Sequence, residues 1–126
     1  MEKRLLILMD NETVTTRALA LDLTEAGYQV ETAVDGEEAA RKIGRERFDL
    51  LIAPEHARAE SAGVIEAFRR NRPRAKIVLK TTGGEREGRV ERMDAGVRMQ
   101  KPFDLEDFRS IVHELLEADS TAGSAM

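Results

Sequence analysis

Residues 4–12 read RLLILMDNE: five apolar side chains, Leu5 to Met9, run straight into Asp10, Asn11 and Glu12 with no Gly or Pro between. A continuous apolar run of this length fits a strand buried on both faces, as in a parallel sheet covered by helices. An acidic cluster at the carboxyl end of such a strand stands where open α/β sheets bind ligands, at the point where the strand order reverses.

Working outward, Thr13 to Ala26 reads as a helix, with Val14, Ala18 and Leu21 at helical spacing, Leu19 and Leu23 widening the stripe and Gly27 as C-cap. Tyr28 to Val34 alternates, Tyr28, Val30 and Thr32 against Gln29 and Glu31, which suits an edge strand. Asp35-Gly36 turns into a helix through about Glu46, with Ala39, Ala40 and Ile43 facing inward. Phe48 to Ala53, FDLLIA, is a second buried strand that ends at Pro54-Glu55. A polar, alanine-rich loop then leads to Gly63, and a helix over Val64–Arg70 buries Val64, Ile65 and Phe68 before Pro73 stops it.

Ala75 to Thr81 is the fourth strand, closed by Thr82-Gly83-Gly84. Arg86 to Ala95 reads as a short charged helix, capped by Gly96 and followed by a short last strand, Val97–Gln100, which Lys101-Pro102 interrupts. Asp104 caps a final helix whose stripe is Leu105, Phe108, Ile111, Val112, Leu115 and Leu116. The expectation is one domain over residues 1–118 and a flexible tail over 119–126. Strands alternating with helices predict a doubly wound α/β sandwich, its five parallel strands in the order 2-1-3-4-5.

Composition limits the function. The 126 residues make one domain with a single core, and a net charge of -4 argues against a general nucleic-acid binder. Without cysteine there is no disulfide or thiolate chemistry. No apolar stretch is long enough to span a bilayer, and the N-terminus lacks the pattern of a signal peptide. A cytoplasmic protein that binds neither nucleic acid nor membrane is expected.

Three strands and one short loop deliver Asp10, Asn11 and Glu12; Pro54 and Glu55; Thr81 and Thr82; and Lys101 with Pro102 to one rim. The chain here closely resembles the receiver domain of two-component response regulators, the CheY-like family with a flavodoxin-like (βα)5 fold. The resemblance runs from LLILMDNE through GYQVETAVDGEEA and FDLLIA to IVLKTTGG and QKPFDLEDF, nearly the whole chain. In that family, acidic residues after the first strand hold Mg²⁺ and an aspartate after the third strand accepts a phosphoryl group. A Thr or Ser after the fourth strand and a Lys before a proline then contact the phosphate. Mg²⁺ requires hard oxygens in an octahedral shell, and Lys and metal neutralise the charge that develops on the phosphoryl oxygens.

Matched position by position, the resemblance puts Asp10 and Asn11 in the two acidic places, Thr81 in the hydroxyl place and Lys101-Pro102 in the Lys-Pro place. The acceptor place falls on Pro54, counting from Asp49, or on Glu55, counting back from Gly63. Proline has no nucleophile. A glutamate is one methylene too long, and misplacement by about 1 Å can cost on the order of 10²-fold. Asn11 removes a metal-holding charge, the run from Gly96 to Lys101 is short for the family, and Arg98 stands where the family has its switch aromatic. The resemblance thus implies a pseudo-receiver: no enzyme, no resident cofactor, and at most a weak Mg²⁺ site at Asp10 and Glu12.

Bland alternatives stand beside each site. Asp10 can pair with Lys101 while Asn11 or Glu12 caps the first helix, and Glu55 is either a fixed charge near Lys101 and Thr81 or a loop glutamate. A partner surface is expected on Arg86, Arg89, Val97, Arg98 and Met99, facing a histidine kinase, an effector domain, a downstream regulator or a second copy of the chain. Two other functions stay open: a phosphorylatable receiver whose acceptor has shifted, most plausibly to Asp10, and a flavodoxin-like nucleotide or flavin binder.

Overall fold

The structure is a computed structural model, and it describes residues 3–9, 13–55, 58–81, 90–93, 96–100 and 104–124. β1 (Arg4–Leu8) is buried from Leu5 onward, as its uninterrupted apolar run requires. It pairs in parallel with β2 (Gln29–Ala33) on one side and β3 (Leu50–Pro54) on the other. β4 (Lys76–Thr81) follows β3, and β6 (Gly96–Gln100) follows β4, both in parallel. These five strands have the expected order, with half-buried β2 at one edge.

Four helices are described: α1 (Thr13–Glu25), α2 (Gly36–Arg45), α3 (Arg58–Asn71) and α4 (Leu105–Ser124). Alternate strand residues divide the core into two layers. Leu5, Ile7, Leu50, Ile52, Val78, Val97 and Met99 pack with α1 and α4; Leu6, Leu8, Leu51, Ala53 and Ile77 pack with α2 and α3. The sheet is therefore covered on both faces.

The sheet differs from the expected one at its far edge. Residues 90–93, read as part of a helix, form β5 (Val90–Met93), antiparallel to β6, so the sheet has six strands in the order β2-β1-β3-β4-β6-β5. Val90 and Met93 are three apart, which suits a helix face, but residues 90–93 pair antiparallel with β6, and two ion pairs accompany that ladder. Glu91 reaches Arg98 at 3.4 Å, and Arg92 reaches Glu114 of α4 at 2.7 Å. Gly96 caps no helix; its φ of +154° lets it pass so close to β4 that a Cβ would lie 1.7 Å from the Ile77 carbonyl oxygen.

Helix details differ too. The inward face of α1 carries Thr16, Leu19 and Leu23, all buried, whereas Val14 (84% exposed), Ala18 and Leu21 (60% exposed) face outward. On α2, Ala39 and Ile43 are buried but Ala40 is exposed. α3 begins at Arg58, ahead of the expected start near Val64, because the alanine-rich stretch joins the helix. α4 continues to Ser124 and so takes in most of the segment expected to be a loose tail. Two turn features match expectation. Asp35 caps α2 by accepting from the Glu38 N–H at 2.8 Å, and Gly27 ends α1 with φ +107°.

Candidate functional site

The carboxyl ends of β3, β4 and β6 form the described part of the rim. Pro54 is the last residue of β3, buried and in register with Lys80. Having no N–H, proline is tolerated here where the strand ends. The ladder continues one residue further, since the Glu55 N–H donates to the Lys80 carbonyl at 2.8 Å. Thr81 ends β4 opposite Gln100 of β6.

Glu55 and Arg98 meet across β4. Ala53 is in register with Leu79, and Leu79 with Arg98, so all three side chains share the α2/α3 face. Glu55, two residues beyond Ala53, turns to the same face. Its Oε2 accepts from Arg98 Nε, and Arg98 Nη1 also lies 3.4 Å from Glu91 Oε1 on β5. The hydrogen bond that Arg98 donates to Glu55 is the chief influence that raises the Arg98 pKa; burial opposes it, and the Glu55 and Glu91 charges reinforce it. One guanidinium thereby links the end of β3 to the edge strand of the sheet.

Of the other residues singled out in the sequence, Asp10, Asn11, Glu12, Arg86, Arg89, Lys101 and Pro102 lie outside the described residues. Val97 and Met99 are core residues at 0% and 1% exposure, so they add no apolar area to a partner surface. Arg98, a third exposed, is held by its carboxylates. Lys80 escaped the sequence reading. At 2% exposure it is a buried cation on the α1/α4 side of the rim, between Pro54 and Met99 in register. Its signal is a lysine directly after the apolar run Ile77-Val78-Leu79 and still within the strand.

Among the described residues, no group of three or more His, Asp or Glu side chains is placed to hold a metal ion. At this rim the described carboxylate, Glu55, is engaged by Arg98. Among the described residues no helix is long and apolar enough to cross a membrane.

No family model matches the chain. It is 29% identical over 120 residues to the probable transcriptional regulator ycf29 of Porphyra purpurea, covering 91% of this chain and 57% of that protein. It is also 29% identical over 125 residues to the alkaline phosphatase synthesis transcriptional regulatory protein PhoP of Bacillus subtilis, covering 97% of this chain and 52% of PhoP. The chain thus spans about half the length of these relatives. The fold matches the CheY-like response regulator receiver domain protein of Methanospirillum hungatei with a TM-score of 0.77 at 24% identity, over 97% of this chain and 99% of that one. The chain thus has the fold of CheY-like receiver domains, and its sequence is similar to about half the length of proteins named as transcriptional and response regulators.

Proposed function

We propose that this receiver domain signals through protein contacts without accepting a phosphoryl group, as a non-enzymatic module acting in the cytoplasm. The observation that carries this reading is the Glu55–Arg98 pair. Phosphoryl transfer to a carboxylate needs an oxygen free to approach phosphorus in line, with cations gathered around the transferred group. Pro54 offers no such oxygen, and Arg98 binds the Glu55 carboxylate beside it. The guanidinium supplies internally the positive charge that would otherwise face an incoming phosphate.

The partner would be a histidine kinase, an effector domain or a downstream regulator, reading a rim whose conformation Arg98 holds fixed. The relatives' names as transcriptional regulators favour a partner in gene control. An amide NMR titration with Mg²⁺ and beryllofluoride, a phosphoryl mimic, tests the reading. Glu55, Thr81 and Arg98 are expected to stay in place; saturable shifts at these three residues would overturn it.

A further inference from the structure

At the opposite end of the sheet, where α2 and α3 end and β3 is about to begin, the surface holds a cavity of about 310 Å³. Buried Phe48 and Phe68 close its floor, and Arg45, Arg47 and Arg72 stand around it. The one carboxylate in its lining, Glu46, is taken by Arg4, whose guanidinium also lies 5.6 Å from the centre of the Phe48 ring. Arg72 has only a long 3.4 Å contact to Asp49. Among the described residues Arg45 and Arg47 make no ion pair, and both are exposed. In a chain of net charge -4, the two guanidinium groups of Arg45 and Arg47, without an ion pair among the described residues and beside a loosely paired Arg72, run against the average.

A solvated helix end accounts for part of this, since cations near a helix C-terminus are favourable by about 0.3–1 kcal/mol each. It covers Arg45, in the last turn of α2, but not Arg47, which lies beyond the C-cap residue Glu46. Nor does it account for a concave wall that brings a third arginine from the far end of α3. Guanidinium forks match phosphate and carboxylate oxygens two at a time. The volume sits at the lower end of the roughly 300–1,000 Å³ typical of ligand pockets, room for a compact molecule only.

We infer that the cavity bounded by Arg45, Arg47 and Arg72 over Phe48 and Phe68 is a binding site for a small phosphate dianion, free or carried on a short organic body. The site lies at the opposite end of the strands from Pro54 and Glu55, so it does not depend on whether the rim accepts phosphate.

The test is an amide NMR titration with two probes, phenyl phosphate and inorganic phosphate, on the wild-type chain and the R45Q/R47Q variant. Both arginines are exposed, so the variant is expected to keep its fold, and its own amide spectrum checks that. Saturable shifts at Gly44, Arg47 and Asn71, with affinity falling about tenfold or more in the variant, are expected. Tighter binding of phenyl phosphate assigns the site to an organic phosphate; equal binding of the two assigns it to the free ion. Shifts that do not saturate with either probe, or equal affinity in wild type and variant, overturn the assignment.

Discussion

Arg98, near the middle of β6, donates from Nε to the Glu55 carboxylate at the end of β3, across a sequence separation of 43 residues. No local pattern links the two positions. Their meeting depends on the parallel register of β3, β4 and β6, which turns both side chains to the same face. The same guanidinium touches Glu91 on β5, so the end of β3 and the edge of the sheet share one cation.

Removing that cation should loosen the edge more than it lowers overall stability. Both partners are about a third exposed, and solvent screens such pairs to about 1 kcal/mol or less. R98Q is expected to leave the unfolding midpoint nearly unchanged while amide exchange speeds up across Val90–Met93. Exchange on β5 equal to wild type would show that Arg98 does not hold the strand.

Gly96 makes the opposite prediction. A Cβ there would overlap the backbone of Ile77, which cannot move without disturbing the β4–β6 ladder. G96A should cost on the order of 3 kcal/mol, lowering the melting temperature by roughly 10 °C in a domain of this size. A calorimetric scan decides it, and a melting temperature within a degree or two of wild type contradicts the close approach.

On α1, burial separates residues that look alike in sequence. L19A and L23A remove fully buried side chains from the α1/α4 layer and should each cost about 2–5 kcal/mol in urea unfolding. L21Q, at a position 60% exposed, should stay within about 0.5 kcal/mol of wild type. The reverse ranking would mean that α1 presents its other face to the sheet.

Glu31, on the edge strand β2, sets an acid limit. Burial pushes its pKa up, but hydrogen bonds with Glu46 and Lys42 and the charges of Lys42 and Arg4 outweigh it, leaving the net value below the usual 4.5. A lowered folded pKa means that the unfolded chain binds the proton more readily. The contribution is therefore full above about pH 4.5 and is lost as the pH falls through the lower folded value. Unfolding followed from pH 6 downward should show a shallower acid loss in E31Q than in wild type; parallel curves would refute the assignment.

Much of this architecture is legible in the sequence. The apolar runs before Asp10 and Pro54 announce buried parallel strands, and alternation in residues 28–34 marks an edge. Where the pattern misled, two periodicities competed. Val14, Ala18 and Leu21 repeat at helical spacing as well as Thr16, Leu19 and Leu23 do, and the polar Thr16 disguises the buried set. Residues 90–93 carry too few apolar side chains to distinguish a helix from a strand, and it is the pairing with β6, not a local pattern, that makes them a strand. Pro54, Glu55 and Thr81 are legible from their position at the carboxyl ends of apolar runs. Buried Lys80 and the Glu55–Arg98 pair are not, because both depend on neighbours distant in the chain.

Intact mass after incubation with acetyl phosphate and Mg²⁺ checks the proposal that no carboxylate of this domain takes up a phosphoryl group. Wild type is expected to keep an unchanged mass at every time point. A single phosphoryl increment would contradict it, and its absence from E55Q would trace the acceptor to Glu55 despite the pairing with Arg98.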